Sequence, residues 1–226
     1  EGAALVWVGT RQGRQLAKLA GTALIGLSGL AFLDGAWRSG AGLPVLNGDV
    51  LGGLLISLSA FFAARRLGGV PEQRFVTAHR VAALGLFLWA LLWWLGTGWA
   101  ETEARAPFVA QYTVYLLFVG ASGALAAWLG GALAWPLLSR SVLLLLPLLA
   151  VLAQQDHTLH GHFLHGLGWL AWPAIWAAQV YGLRRLDQAG EPLAAAWHLL
   201  SVLLLTLLLA LEAYWWTGRV ASAAWA

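Results

Sequence analysis

The chain has 226 residues, 60% of them hydrophobic and only 10% charged, with a formal net charge of +3. So few charges cannot cover the exterior of a soluble protein this long, so the composition excludes an ordinary soluble domain and places the chain in a lipid bilayer. Basic residues stand between apolar runs rather than along one amphipathic face, which argues against nucleic acid as a partner, and the absence of cysteine excludes disulfides and thiolate metal sites.

The pattern predicts an all-α fold, a polytopic transmembrane helical bundle with about seven full spans after a truncated first one, organised as a single transmembrane domain over residues 1–226. Residues 2–10 are apolar and run into Arg11, Arg14 and Lys18, as the end of a helix reaching a basic interface does. Ten residues at about 1.5 Å each set Glu1 near mid-membrane. The chain opens on Glu1 and contains no methionine, so it reads as part of a longer chain whose remainder is a partner in the same span.

A second helix is expected over 16–33, with Gly21, Gly26 and Gly29 offering small surfaces for close helix approach. A loop over 34–49 carries Gly40, Gly42, Pro44 and Asn47 as breakers. Further spans are predicted over 50–64, 81–99, 108–129, 136–153, 169–183 and 193–216. Between them fall polar stretches, including 97–107 with Glu101, Glu103 and Arg105.

Threaded in this way, Arg11, Arg14, Lys18, Arg65, Arg66, Arg74, Arg80, Arg140, Arg184 and Arg185 gather on one side, and Arg38, Arg105 and Arg219 on the other. The excess marks the cytoplasmic side. The opposite face then carries most of the carboxylates and an interfacial belt including Trp37, Trp93, Trp94, Trp99, Trp169, Trp172, Trp215 and Trp216. Stacking of a sugar or lipid headgroup in an outer vestibule is a further use for such rings.

Four of the six histidines fall within nine residues, His157, His160, His162 and His165, next to Asp156. At about 100° per residue they do not share one helical face, so convergence is expected only from a loop, for which Gly161, Gly166 and Gly168 provide turns. The plainest reading is a solvated loop on the outward face. A metal site is the sharper one: neutral imidazoles suit a divalent transition metal such as zinc, copper or nickel, with Asp156 taking a second ring N–H. A pH-sensing or proton-relay role is the third.

Glu1 and Glu212 fall inside predicted spans, where ionisable groups are costly and mark pathways or relays; Glu212 is close enough to the outer interface to snorkel. Gln111, Tyr115 and Ser122 recur at helical spacing on the fifth helix and should face the bundle interior, as interhelical hydrogen-bonding groups or as the lining of a polar pathway.

The opening Glu1-Gly2-Ala3-Ala4-Leu5 before Arg11 and Arg14 begins an ordered set of short motifs. Pro44-Val45-Leu46-Asn47, Trp93-Trp94, His165-Gly166 with Trp169-Leu170-Ala171-Trp172-Pro173, and Leu211-Glu212 follow in turn. Together they resemble the large multi-spanning bacterial membrane proteins grouped as domain of unknown function 2339. The resemblance covers most of the chain and implies a bacterial inner-membrane location, a chain considerably longer than this one, and attention to Glu1, His165 and Trp172. It implies no catalytic assignment. His157, His160 and His162 stand outside the motifs that carry it.

No phosphate-binding glycine loop, serine nucleophile motif or paired-acid signature is present. The leading expectation is therefore transport or presentation of an envelope-related solute or lipid, through a polar interior near Glu1, Gln111 and Tyr115. The alternatives are a metal-dependent enzyme acting at the periplasmic face on a lipid-linked or glycan substrate, and a structural scaffold with envelope protein partners.

Overall fold

The computed structural model describes residues 1–35, 43–69 and 76–224, so Trp37, Arg38 and Arg74 lie outside the described residues. The helices are α1 (Gly2–Arg11), α2 (Gln15–Gly35), α3 (Gly48–Gly68), α4 (Val76–Arg105), α5 (Phe108–Ala132), α6 (Pro136–Arg140), α7 (Leu145–His160), α8 (Gly168–Gln188) and α9 (Ala194–Ala224). A 3₁₀ turn, Ser141–Leu144, joins α6 to α7. No strand occurs among the described residues.

Among the described residues six stretches are long and apolar enough to cross a bilayer: Gln15–Leu33, Gly48–Gly68, Thr77–Arg105, Phe108–Ala132, Pro136–His160 and Ala194–Ala221. The fold is an all-α, polytopic membrane protein. The predicted seventh helix, α8, has a spanning length of 21 residues but a less apolar composition, with Pro173, Gln179 and two arginines along it.

Several helices run further than their apolar cores. α4 carries Glu101, Glu103 and Arg105, which were expected in a loop; α3 carries Arg65 and Arg66; α7 carries His157 and His160. Charge ends the hydrocarbon, not the helix, because glutamate and arginine are good helix formers and the backbone ladder continues into the interface. The real stops are backbone ones, such as Gly161, whose φ of 78° lies in the left-handed region.

The chain forms two compact units, Glu1–Arg105 and Ala106–Ala226. In the first, α3 buries Val50, Gly53, Ser57, Ala60, Ala64 and Leu67, alternating steps of three and four. α4 answers with Ala83, Leu86, Ala90, Trp93 and Thr97 at the same spacing. This is a left-handed seam of the coiled-coil kind, made mostly of small side chains, and Ser57 Oγ donates across it to Ala90 O at 2.9 Å. Leu51, Leu55, Leu58, Leu84, Leu88 and Leu92 are exposed, so the large aliphatic groups face outward as a lipid-facing surface requires.

α1 and α2 cross on glycine. A methyl group built on Gly2 would lie 2.7 Å from Gly21 O, and one on Gly21 would lie 2.6 Å from Gly2 O. Glu1, exposed at the start of α1, therefore stands beside the middle of α2. Of the other predicted packing glycines, Gly29 meets Trp89 and Trp93, while Gly26 has nothing within 4 Å.

In the second unit, α5 packs on α8 through Gly120 against Ile175, and α8 on α9 through a buried bond from Gln179 Nε2 to Ser201 Oγ at 3.1 Å. At the C-terminal end of α8, Arg185 lies beside Gly131 of α5, and just beyond that end Glu191 pairs with Arg140 at 2.7 Å. The other end, 21 residues or about 31 Å away, meets the histidine segment. That separation of arginines from histidines is the geometry on which the site is built.

Candidate functional site

α7 leaves the hydrocarbon with its helix intact, so Asp156 and His160, four residues apart, share a face. His160 Nδ1 lies 3.0 Å from Asp156 Oδ1. Gly161 then ends the helix, its N–H donating to His157 O at 2.8 Å, and a second positive φ at Gly166 turns the chain back toward α8. This tight return brings His165 Nε2 to 2.7 Å from the same Asp156 oxygen. The two imidazoles stack at 3.8 Å between centroids.

Asp156 is 1% exposed, and Trp172, one turn into α8, donates from Nε1 to its Oδ2 at 3.4 Å. A ring nitrogen that donates to the carboxylate has no lone pair for a metal, so an ion bound between the three groups would displace the protons that face Asp156. On the far side of its ring, His160 Nε2 is buried with no hydrogen-bond partner among the described residues. Donor atoms of Asp156, His160 and His165 all lie within 4.8 Å of one another. A tetrahedral ion at about 2.0–2.1 Å from its ligands sets donors about 3.3 Å apart, so small side-chain movements accommodate one.

His157 and His162 do not share Asp156, although His162 stands edge-on to His165 at 5.9 Å. His157 stacks on Phe163 at 5.4 Å, and His162 lies flat on Trp215 at 3.9 Å with Nδ1 3.4 Å from Glu212 Oε1. The segment expected to be a loop throughout is thus half helix. Three of its histidines divide according to which carboxylate they meet, His160 and His165 on Asp156 of α7 and His162 on Glu212 of α9, while His157 packs on Phe163.

Glu212, expected to snorkel to the interface, is instead buried by a tertiary contact that sequence reasoning missed. Its carboxylate accepts from Phe163 N at 2.8 Å and Trp216 Nε1 at 2.9 Å, so it pins the turn to α9. No signal in the sequence links residues 163 and 212, although Gly161 after an Asp–His pair one turn apart is a legible helix stop. Elsewhere in the unit, Gln111 donates to Ala106 O at 3.3 Å and Tyr115 is buried and stacks on Phe118 at 5.9 Å. Glu1 belongs to the first unit.

A family model described as a predicted membrane protein, DUF2339, matches residues 1–226. The chain belongs to this DUF2339 family. No curated protein and no solved structure matches it. In this DUF2339 protein His165 and Trp172, from one of the motifs that carried the resemblance, meet on the same oxygen-bearing group, Asp156.

Proposed function

We propose that this DUF2339 protein is a metal-dependent membrane enzyme whose centre is Asp156, His160 and His165, acting at the periplasmic face of a bacterial inner membrane on a lipid-linked or glycan substrate. The observation that carries the reading is the buried Asp156 shared by two imidazoles, with donor atoms of all three residues within 4.8 Å of one another. Three protein donors with a further position open to water are the usual ligand count of a catalytic zinc site. A bound divalent ion would supply a Lewis acid and a water acidified toward neutrality.

The chain's own groups divide the remaining tasks. Trp172 Nε1 holds the second oxygen of Asp156 and fixes the carboxylate plane. Tyr112 lies edge-on to His160 at 6.3 Å and screens one side of that ring. Glu212 fixes the turn that delivers His165. What supports the periplasmic reading is the arginine excess expected on the cytoplasmic side, with the cluster at the opposite end of α8 from Arg184 and Arg185.

This reading is preferred to transport because two imidazoles and a buried carboxylate converge on one point at Asp156. The test is elemental analysis of the purified full-length protein. Stoichiometric zinc, copper or nickel is expected in the wild type and in His157→Ala, and a loss of at least about tenfold in affinity in Asp156→Asn, His160→Ala and His165→Ala. Metal absent from the wild type, or retained by all three variants, overturns it.

A further inference from the structure

A cleft of about 660 Å³ lies in the first unit, between the end of α2 at Leu33, the start of α3 at Asn47 and the face of α4 from Trp89 to Arg105. It uses none of the residues of the metal centre. Leu92, in its wall, is 63% exposed, so one side opens toward lipid. The polar end is closed by the chain's own groups.

Glu101 accepts from Val45 N and from Asn47 Nδ2, both at 2.9 Å, and stands 3.5 Å from Arg105 Nε. Asn47 and Glu101 both line the cleft, so the bond between them crosses it from the start of α3 to α4. Asn47 Oδ1 in turn accepts from Val50 N at 2.9 Å, which fastens the turn to the first residues of α3. One carboxylate thereby ties the Pro44-Val45-Leu46-Asn47 motif across this end, a task for that motif that the metal centre leaves open.

The turn is held against strain. Val45 has a φ of 64°, in the left-handed region, where a β-branched side chain crowds its own backbone. That side chain is exposed, so packing does not hold the conformation, whereas the bond from its N–H to Glu101 does. Strain on one side and bonds to a single carboxylate on the other bring a closed and an open arrangement close in energy.

Behind this tie, Trp93 and Trp89 follow from Glu101 at multiples of four residues on the same face of α4 and line the cleft. Their Nε1 atoms are buried with no hydrogen-bond partner among the described residues. An indole N–H without an acceptor is costly in hydrocarbon, and water or a solute carrying acceptors would satisfy both. We propose that Glu101 and the Val45–Asn47 turn form a strained clasp that shuts the polar end of the cleft, and that its opening admits water and acceptor-bearing solutes toward Trp93 and Trp89.

The chain has no cysteine, so a single thiol reports access to the cleft. Gly96 lines it and a side chain added there meets nothing within 4 Å; Gly85, equally clear of neighbours on the same helix, lies outside the lining and is the control. Full-length protein carrying Gly96→Cys or Gly85→Cys is reconstituted in phosphatidylcholine nanodiscs, and its rate of reaction with a charged methanethiosulfonate is measured. Glu101→Ala, which removes both acceptors, should speed the reaction of Gly96→Cys about tenfold. Val45→Pro should do the same without altering α4, because proline has no N–H and cannot hold φ at 64°. Val45→Asn, which sits in the left-handed region at lower cost, should slow the reaction about threefold. Gly85→Cys should respond to none of these changes. Rates at Gly96→Cys that are the same in every background, a matching rise at Gly85→Cys, or a Val45→Asn variant as fast as Val45→Pro would overturn the proposal.

Discussion

At Asp156 one buried carboxylate accepts from two imidazoles and an indole. Asparagine in its place keeps the volume but turns an NH₂ toward donors, leaving buried N–H groups unsatisfied at about 1–3 kcal/mol. Thermal unfolding in detergent should therefore show Asp156→Asn with a lower Tm, and added zinc should raise the Tm of the wild type only, since a ligand that binds the folded state stabilises it. Gly161 is the other sensitive residue. With φ at 78°, alanine there should cost about 1 kcal/mol and asparagine less, because asparagine tolerates the left-handed region. Equal melting temperatures for the two variants would contradict the cap. Glu212→Ala should expose the Phe163 amide to faster hydrogen exchange, as the turn loses its anchor to α9.

Among the elements, α3 and α4 invert the habits of soluble helices. Their shared face is built largely of Ala60, Ala63, Ala64, Ala83 and Ala90, while Leu51, Leu55, Leu58, Leu84, Leu88 and Leu92 point away. Ala90→Leu should accordingly overpack the seam and cost about 1–3 kcal/mol, whereas Leu88→Ala on the exposed face should be close to neutral in the same unfolding assay. The reverse ranking would mean that these helices bury the opposite face. The buried bond from Gln179 to Ser201 between α8 and α9 should be worth only about 0.6 kcal/mol when Ser201 is changed to alanine, as interhelical hydrogen bonds in membranes average. The order and approximate centres of the helices were legible from apolar runs and glycines, although six stretches rather than about seven full spans are long and apolar enough to cross a bilayer among the described residues. Helix ends were not, because Glu101, Arg105, His157 and His160 mark where hydrocarbon stops while the backbone ladder runs on.

For the whole molecule the decisive quantity is orientation. The chain has no cysteine, so single cysteines report it directly. Leu164→Cys, in the exposed turn beside the candidate metal centre, should react with a membrane-impermeant maleimide on intact spheroplasts. Gln188→Cys, at the far end of α8, should react only after permeabilisation. The opposite labelling pattern would move the cluster to the cytoplasmic side and with it the class of substrate it can reach.

The sequence by itself determined the solvent, the fold class and the family, because bilayer thickness sets the length of every span and lipid tolerates almost no charge within it. It also drew attention to Asp156 and the histidines through their density. Only the tertiary structure decided which of them act together. Helices apolar on every side carry no periodic mark of their buried face, so pairing is set by the sizes of side chains on two helices at once, as with Gly53 against Thr97 or Gly120 against Ile175. The same holds for polar groups. His165 joins Asp156 while His162 joins Glu212 because a turn closed at Gly161 and Gly166 aims adjacent side chains at carboxylates on different helices, a choice that depends on contacts up to fifty residues apart.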